Sequence, residues 1–399
     1  MKPDLIIITR QFPYGNSETF LESEILVICS FFNTITIYPS TNHEIIRELP
    51  TNVFVNNLIC NDYVNKVKWG IRTVFTYTFY KKILNNFYKI RNRNGFISFI
   101  KYCISYTIYK NKANILLSDN SANLIYSYWY NAFVDAFCDI NKPGKKIFTR
   151  VHRGDLYEEF TKLGFFPDRK LSIDKIDTIF SISNHGLDYL INKFNINNII
   201  VSRLGVVDKK IIAKCSSNLN FSIVSVSNII PVKNVLLIAK SIKHFALENP
   251  NITVKWNHFG DGEEMIEVKK IIFNENLNNL NCFLHGRVNN AKILEFYSKN
   301  AIDLFINLSS SEGIPVSIME AISFGIPIIA TDVGGVSEIV NATVGVLLKD
   351  QSSAEFISKE ILKLFKYPKD RTVIRGFWLA NYSARENYTC FAKKLIEEC

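Results

Sequence analysis

The 399-residue sequence lacks a long hydrophobic segment, a paired-cysteine motif and a D-x-D metal motif. No run of about 18 uninterrupted apolar residues occurs, so we expect no membrane-spanning helix, and the apolar run near the start is too short for a signal peptide. The eight cysteines form no C-x-x-C pair and no metal-ligand spacing, so they indicate scattered buried thiols in a reducing compartment. These absences exclude a disulfide scaffold and predict a cytoplasmic protein.

Acidic residues are absent between Tyr63 and Ser118, where aromatic and aliphatic residues alternate with cations. This pattern suits a basic amphipathic surface resting on anionic lipid headgroups. A solvated basic face over an ordinary core is the open alternative. Nucleic acid would also suit the charge, but no nucleic-acid-binding motif accompanies it, so we expect none as a partner. The cations are Lys66, Lys68, Arg72, Lys81, Lys82, Lys89, Arg91, Arg93, Lys101, Lys110 and Lys112.

Short apolar runs alternate with longer helical segments along the whole chain, which is typical of βα units around parallel sheets. The length exceeds what one hydrophobic core usually serves, so we expect two α/β domains with a boundary near Val201–Asp208. The predicted strands are Leu5–Ile8, Thr34–Tyr38, Leu124–Tyr128, Lys146–Thr149, Thr178–Ser181, Ser222–Val226, Thr253–Phe259, Cys282–His285, Leu304–Leu308, Ile326–Ala330 and Val344–Leu347.

Two glutamates, Glu312 and Glu320, flank the predicted start of one helix. Pro315 stands where the helix begins and Gly325 where it ends. Free N–H groups at a helix start attract phosphate, and helical side chains lean toward the N-terminus, so Glu320 can reach the same crevice. A carboxylate can accept hydrogen bonds from both hydroxyls of a sugar diol. The alternative is that both glutamates are only helix-terminus charges.

The segment from Glu312 to Glu320 resembles the E-x7-E signature of the family 4 retaining glycosyltransferases, and residues 330–338 resemble its continuation. The resemblance implies the GT-B architecture, in which two Rossmann-like domains face each other across a cleft. It also implies that Glu312 contacts the donor sugar and Glu320 the ribose. The backbone of Gly313, Ile314, Pro315 and Val316 would then bind the donor.

The resemblance extends from about Ile6 to Phe391 and implies three parts. Residues 1–205 would form an acceptor-side domain and residues 206–375 the nucleotide-sugar domain. Residues 376–399 would form a helical tail that crosses back onto the N-terminal domain.

The segment Val224–Lys233 looks like the family's strand and diphosphate-binding loop, with Lys233 as the cation on the diphosphate. Many family members carry an arginine five residues earlier, where this sequence has Asn228, so one of two expected cations is missing. Further along, Val288 lies in a segment resembling the one whose backbone contacts the base. The alternative for Lys233 is an exposed loop cation.

In the first half, Arg10–Phe20 resembles the F-P-x-x-S-E-T-F loop of members that build bacterial surface polysaccharides, and Gly15 would approach the donor diphosphate. A plain strand-to-helix turn is the alternative. His152 resembles the catalytic histidine that touches the donor sugar, and Asp155 would lie on the acceptor side. The alternatives are a structural histidine and a helix-capping aspartate.

The resemblance therefore implies a retaining, metal-independent glycosyltransferase that uses a UDP- or GDP-sugar and no cofactor. The acceptor would be a glycan or polyprenyl-linked glycan in surface-polysaccharide synthesis, at or near the inner face of the membrane. His152, Lys233 and Glu312 would be the catalytic residues. Two alternatives stay open: a non-catalytic partner subunit that binds a nucleotide sugar, and an oxidoreductase, although no G-x-G-x-x-G follows the first strand.

Overall fold

The computed structural model describes residues 2–15, 18–42, 47–60, 66–118, 122–140, 144–274, 277–349 and 351–397. It divides into two compact units. The first runs through Leu204 and includes the last helix from Ala384, and the second is Gly205–Ser383. Within these ranges, no helix combines the length and apolarity that crossing a bilayer requires.

The first unit contains a seven-stranded parallel sheet in the order β3-β2-β1-β4-β5-β6-β7. Strands β1, β4 and β6 are buried along their whole length, as expected for a parallel sheet covered on both faces. The strands are β1 (Leu5–Thr9), β2 (Ile35–Pro39), β3 (Val53–Val55), β4 (Leu124–Ser127), β5 (Lys146–Val151), β6 (Thr178–Ser181) and β7 (Ile199–Val201).

Eight described α-helices connect these strands. The longest follows β3 and packs on the short helix after β4, where the rings of Tyr109 and Phe133 meet edge to face at 5.7 Å. The helices are α1 (Thr19–Ile28), α2 (Lys66–Val74), α3 (Tyr77–Asn86), α4 (Arg93–Ser118), α5 (Ala132–Cys138), α6 (Arg153–Leu156), α7 (Arg169–Ser172) and α8 (Asn184–Phe194), with 3₁₀ turns at Cys29–Phe31, Phe87–Lys89, Glu158–Phe160 and Ile173–Lys175.

The second unit contains a six-stranded parallel sheet in the order β10-β9-β8-β11-β12-β13. Both sheets thus have Rossmann-like strand order, which reverses direction beside the first strand. The elements are β8 (Asn220–Val226), α9 (Val235–Glu248), β9 (Thr253–Phe259), α10 (Met265–Phe273), β10 (Leu280–Leu284), α11 (Asn290–Lys299), β11 (Leu304–Asn307), α12 (Val316–Ser323), β12 (Ile328–Thr331), β13 (Gly345–Leu348), α13 (Ala354–Lys366) and α14 (Arg371–Tyr382), with 3₁₀ turns at Pro231–Lys233 and Val336–Glu338.

The final helix, α15 (Ala384–Glu397), packs against α1 in the first unit. A fully buried ion pair lies beneath it, in which the Arg150 guanidinium donates to the Glu24 carboxylate. The same guanidinium lies 4.3 Å from the centre of the Phe391 ring, a cation–π contact. Helix α15 therefore covers a charge in the first unit that would be less buried without this helix.

Three details differ from the sequence-based expectations. The three-residue strands β3 and β7 were not predicted, because runs this short carry little periodic signal. The predicted tail begins too early, since α14 with Trp378 is part of the second unit and the return to the first starts at Ala384. The thiols are not uniformly buried, since Cys215 and Cys390 are exposed.

The buried ion pair generates a stability prediction. Glu24→Gln should leave the Arg150 guanidinium without a counter-charge and lower the free energy of unfolding by about 3 kcal/mol. Glu22→Gln on the same helix is the control, because Glu22 is exposed and lies 3.8 Å from Arg47. Thermal unfolding of both variants measures the difference, and equal midpoints would show that the pair contributes nothing to stability.

Candidate functional site

The loops that follow β8 and β11 lie side by side at the carboxyl edge of the second sheet. These strands are neighbours, and the strand order reverses between them, which is where open α/β sheets bind ligands. The two loops are tied together, since the Ser310 N–H donates to the Val232 carbonyl at 2.9 Å and the Asn234 amide to the Leu308 carbonyl at 2.9 Å. The parallel sheet therefore brings together loops that are about eighty residues apart in sequence.

An ion pair joins the two loops at their tips. The Lys233 ammonium donates to Glu312 Oε1 at 2.5 Å, and the glutamate is buried while the lysine is partly exposed. Gly334, in the loop after β12, packs against the backbone of Glu312 with a φ of +56° and no room for a side chain, because a Cβ would lie 2.0 Å from the Glu312 carbonyl oxygen. Two of the three residues predicted to be catalytic are thus in direct contact.

Backbone N–H groups accumulate where α12 begins. Gly313, Ile314 and Pro315 are buried, and Pro315 is the N-cap of the helix. The N–H groups of Gly313, Ile314 and Val316 donate to no acceptor in the described part of the chain. Unsatisfied donors at a helix start carry partial positive charge, so this backbone favours an anionic ligand.

Glu320 lies on the next turn of α12 and is also buried. One of its oxygens, Oε1, accepts a hydrogen bond from the Asn290 amide at 2.7 Å, and its other oxygen accepts none from the described residues. Burial raises the pKa of Glu320 from an ordinary 4.5 to about 7, although the hydrogen bond from Asn290 lowers it in part. The carboxylate is thus oriented, with one oxygen left to receive a donor.

The loop after β8 also contacts the loop after β9. The Ile229 N–H donates to the Asp261 carbonyl at 3.0 Å, and a Cβ on Gly260 would lie 1.8 Å from the Ser227 carbonyl oxygen. Beneath this contact lies His258, whose Nδ1 is 2.8 Å from the Ser225 hydroxyl. Burial lowers the pKa of His258 to about 4, so a neutral side chain supports the loop.

Two further residues predicted to bind the donor lie near this edge, and their side chains make no hydrogen bond to any residue that the structure describes. Asn228 is exposed in the loop after β8. Val288 is half-buried just before α11, in a segment held to the loop after β9 by the bond from the Gly260 N–H to the Gly286 carbonyl at 2.8 Å. Whether either residue contacts the nucleotide stays a prediction.

In the first unit, the loop after β1 is organised by Glu18. This buried carboxylate accepts hydrogen bonds from the N–H groups of Arg10, Gln11 and Phe12 and from the Trp129 indole. Gly15 has a φ of +61°, and its carbonyl accepts a bond from the Arg47 guanidinium at 3.1 Å. Asn16 and Ser17 of the predicted motif lie outside the described residues. The loop is therefore held by its own glutamate.

His152 follows β5 directly and contacts two aromatic rings at a tilt, with ring-centre distances of 4.7 Å to Tyr128 and 4.4 Å to Trp129. Neither imidazole nitrogen has a hydrogen-bond partner among the residues described. Burial lowers the pKa of His152 well below its usual range, and the charge of Arg150 lowers it further, so the ring is neutral. A buried neutral ring with both nitrogens unpaired suits contact with a polar ligand.

Asp155 positions His152 through the backbone. Its carboxylate accepts the His152 N–H at 2.6 Å and the Tyr130 N–H at 2.8 Å. Burial raises the pKa of Asp155 to about 7, although both backbone hydrogen bonds lower it in part. His152 is the N-cap of α6, and Asp155 in its first turn accepts the N-cap N–H as in a capping box, so the aspartate helps to cap the helix without being its N-cap. Its predicted contact with an acceptor stays a prediction.

Sequence reasoning missed several residues that shape these sites. Asn290, Trp129 and Arg47 carry no motif, and each meets its partner only through the fold. His258 could be suspected from its position near the end of a predicted strand, next to the Phe259–Glu263 turn. Among the residues described, no three His, Cys, Asp or Glu side chains converge in a way that could hold a metal ion.

Residues 212–375, most of the second unit, match the family of glycosyl transferases group 1. A region of 108 residues is 34% identical to the O-antigen biosynthesis glycosyltransferase WbnH of Escherichia coli, covering 27% of this chain and 29% of that protein. The chain spans less than a third of the length of the curated relatives it matches.

The fold over nearly the whole chain is that of known glycosyltransferase structures. The apo form of the lipopolysaccharide outer core galactosyltransferase WaaB has a TM-score of 0.66 at 14% identity, covering 99% of this chain and 100% of that one. HepE from Anabaena in complex with UDP and glucose has a TM-score of 0.61 at 15% identity, covering 98% of each chain. These similarities confirm the predicted GT-B fold class.

The buried Glu320 generates a pH prediction. The unfolded side chain ionises near pH 4.5, whereas the folded one keeps its proton until about pH 7, so stability falls as the pH rises from about 4.5 to about 7 and levels off above that. Glu320→Gln removes this effect and should gain about 2–3 kcal/mol over the native protein on going from about pH 5 to about pH 8, without ligand. Thermal unfolding of both proteins at the two pH values tests this, and a pH-independent difference would contradict the assignment.

Proposed function

We propose that this chain, whose residues 212–375 match the glycosyl transferases group 1 family, moves a sugar from a nucleotide-diphosphate sugar to a glycan or lipid-linked glycan. The observation that carries this proposal is the group formed by Lys233, Glu312 and the unpaired N–H groups at the start of α12. It combines positive charge with an oriented carboxylate, as a sugar diphosphate requires. The sequence similarity to WbnH, an O-antigen biosynthesis glycosyltransferase, supports surface-polysaccharide synthesis as the setting.

Breaking the bond between the sugar and the diphosphate places negative charge on the leaving phosphate. In our proposal, Lys233 and the N–H groups of Gly313, Ile314 and Val316 stabilise that charge. Without donor, Lys233 pairs with Glu312, so the buried carboxylate is neutralised before a ligand arrives. When the diphosphate takes up the lysine, Glu312 turns its acceptor oxygens to the hydroxyls of the donor sugar.

Glu320 binds the ribose in this proposal. Asn290 holds Oε1, which leaves Oε2 for a ribose hydroxyl. A hydroxyl donor lowers the pKa of a carboxylate that burial has raised, so nucleotide binding and ionisation of Glu320 favour each other. Asn290 is therefore a positioning residue for the nucleotide.

His152 contacts the donor sugar as a neutral hydrogen-bonding group, because its buried ring does not hold a positive charge at neutral pH. We propose retention of configuration, with the acceptor's proton passing to an oxygen of the leaving phosphate, so that no side chain becomes a covalent nucleophile. Lys233 and the backbone donors supply the positive charge, and the reaction proceeds without a divalent cation.

A lipid-linked acceptor would bring the enzyme to the inner face of the membrane. The acid-free region between Tyr63 and Ser118 supports this proposal, because its cations would be attracted to anionic headgroups. We therefore propose a peripheral membrane location.

The two glutamates should have separable roles. Glu320→Ala should weaken binding of both the nucleotide sugar and the bare nucleotide by about 1–3 kcal/mol, because it removes a ribose acceptor. Glu312→Ala should weaken binding of the nucleotide sugar and spare the bare nucleotide. Stabilisation against heat by a panel of UDP- and GDP-sugars and by UDP and GDP measures both effects. Equal losses for both ligands in both variants would contradict the division of roles.

Lys233 should control turnover. Lys233→Ala should lower the rate at saturating donor by on the order of 10²-fold, because one stabilising contact to the leaving phosphate is lost. Lys233→Arg should recover part of this rate, and Lys269→Ala, an exposed lysine on α10, is the control for loss of charge alone. Donor hydrolysis and sugar transfer are measured together. Near-native turnover in Lys233→Ala would place the diphosphate elsewhere, and donor binding without either reaction would favour the non-catalytic alternative.

A further inference from the structure

Helix α2 and helix α3 expose apolar side chains at helical spacing. On α2, Val67, Ile71 and Val74 follow one another at intervals of four and three residues, and all are exposed. Between the helices, Phe75 is 83% exposed. The pattern continues on α3, and the complete set, here called the α2–α3 apolar face, is Val67, Ile71, Val74, Phe75, Tyr77, Tyr80 and Leu84.

The inner side of these helices buries Trp69 and Phe79 together with polar residues, so the exposed apolar residues form a second apolar side where a surface helix of a soluble protein usually has a polar one. Thr73, Lys82 and Asn86 are buried, whereas Tyr77 and Leu84 on the solvent side are 82% and 78% exposed. The stripe on α3 therefore does not serve the core. Contiguous exposed apolar surface of this kind marks an interaction site.

The apolar face is carried by a firmly held element. The Lys82 ammonium pairs with the Asp168 carboxylate and lies 3.5 Å from the centre of the Tyr106 ring. The Tyr102 hydroxyl lies within hydrogen-bond distance of both Asp168 and Asp135, at 2.8 Å from a carboxylate oxygen of each. These contacts link α3 to α4, α5 and the start of α7, so the exposed residues on α3 are held in position against the rest of the first unit.

The positive charge around the α2–α3 apolar face indicates which kind of partner binds to it. Lys68, Arg72 and Lys81 are exposed beside it, and no acidic residue lies between Tyr63 and Ser118. A second copy docking through the same face would bring cations against cations. An anionic bilayer offers both an apolar interior for the aromatic residues and phosphate groups for the cations.

We propose that the α2–α3 apolar face inserts into the interface of an anionic phospholipid membrane, with Phe75 at the turn entering first. This deepens the proposed function and rests on it, since a membrane contact at α2–α3 would hold the enzyme where a lipid-linked acceptor is found. Burial of the apolar side chains supplies the attraction that survives at high salt, and the cations supply the part that salt screens.

The test is sedimentation of the full-length protein with vesicles of phosphatidylglycerol and phosphatidylcholine, and with vesicles of phosphatidylcholine alone. The double variant Phe75→Ser, Leu84→Ser should lower partitioning onto the anionic vesicles by about tenfold or more, since two large apolar side chains no longer enter the bilayer. The matched control is Ile266→Ser, Phe273→Ser, which removes two apolar residues of 63% and 61% exposure from α10 in the second unit.

The proposal predicts that the native protein and the control bind anionic vesicles at low salt, with weaker binding at high salt and little to phosphatidylcholine alone. Native-like vesicle binding by the double variant would overturn it, as would failure of the native protein to bind at low salt. A native dimer that the double variant converts to a monomer would assign the face to a second copy. Thermal stabilisation by nucleotide sugars, measured on the same variants, should be unchanged. Its loss in every protein, including the native one, would instead count against the proposed function.

Discussion

In the second unit, parallel pairing places the carboxyl ends of β8, β9, β11 and β12 at one edge of the sheet. The candidate donor site depends on this common strand direction, because its residues lie in the loops at that edge. Lys233, Glu312 and Gly334 come from three different loops and meet because their strands are neighbours. The loops are short and bound to one another by backbone hydrogen bonds. The site's geometry is therefore set by the sheet more than by the loops themselves.

Charge at this edge is balanced before any ligand is present. The buried Glu312 has Lys233 as its counter-charge, and burial raises the pKa of Glu320 to about 7, so that much of it is still protonated at neutral pH. An isolated buried carboxylate would be costly, and both arrangements avoid that cost. A diphosphate would exchange one anionic partner of the lysine for another, which requires no new charge to be buried alone.

Much of the fold could be predicted from the sequence. All eleven predicted strands occur within a few residues of their expected ends, because buried parallel strands are continuous apolar runs bounded by polar turns. The spacing of Glu312 and Glu320 also placed both on one helix start. Asn290 and Trp129 could not be found this way, because their hydrogen bonds to Glu320 and Glu18 span 30 and 111 residues and leave no local pattern. The exposed apolar side of α3 was equally hidden, since it depends on which side of the helix the rest of the unit covers.

The position of α15 affects the order in which the chain folds during synthesis. The ribosome makes the whole second unit before Phe391 exists, yet Phe391 lies over the buried Arg150 of the first unit. Domains usually fold in order as they emerge, N-terminal first. Here the guanidinium and neighbouring aromatic rings of the first unit stay uncovered until α15 has left the ribosome. Its core is completed after translation of the second unit, so α1 and α15, which lie on either side of that unit in the sequence, are joined in a late folding event.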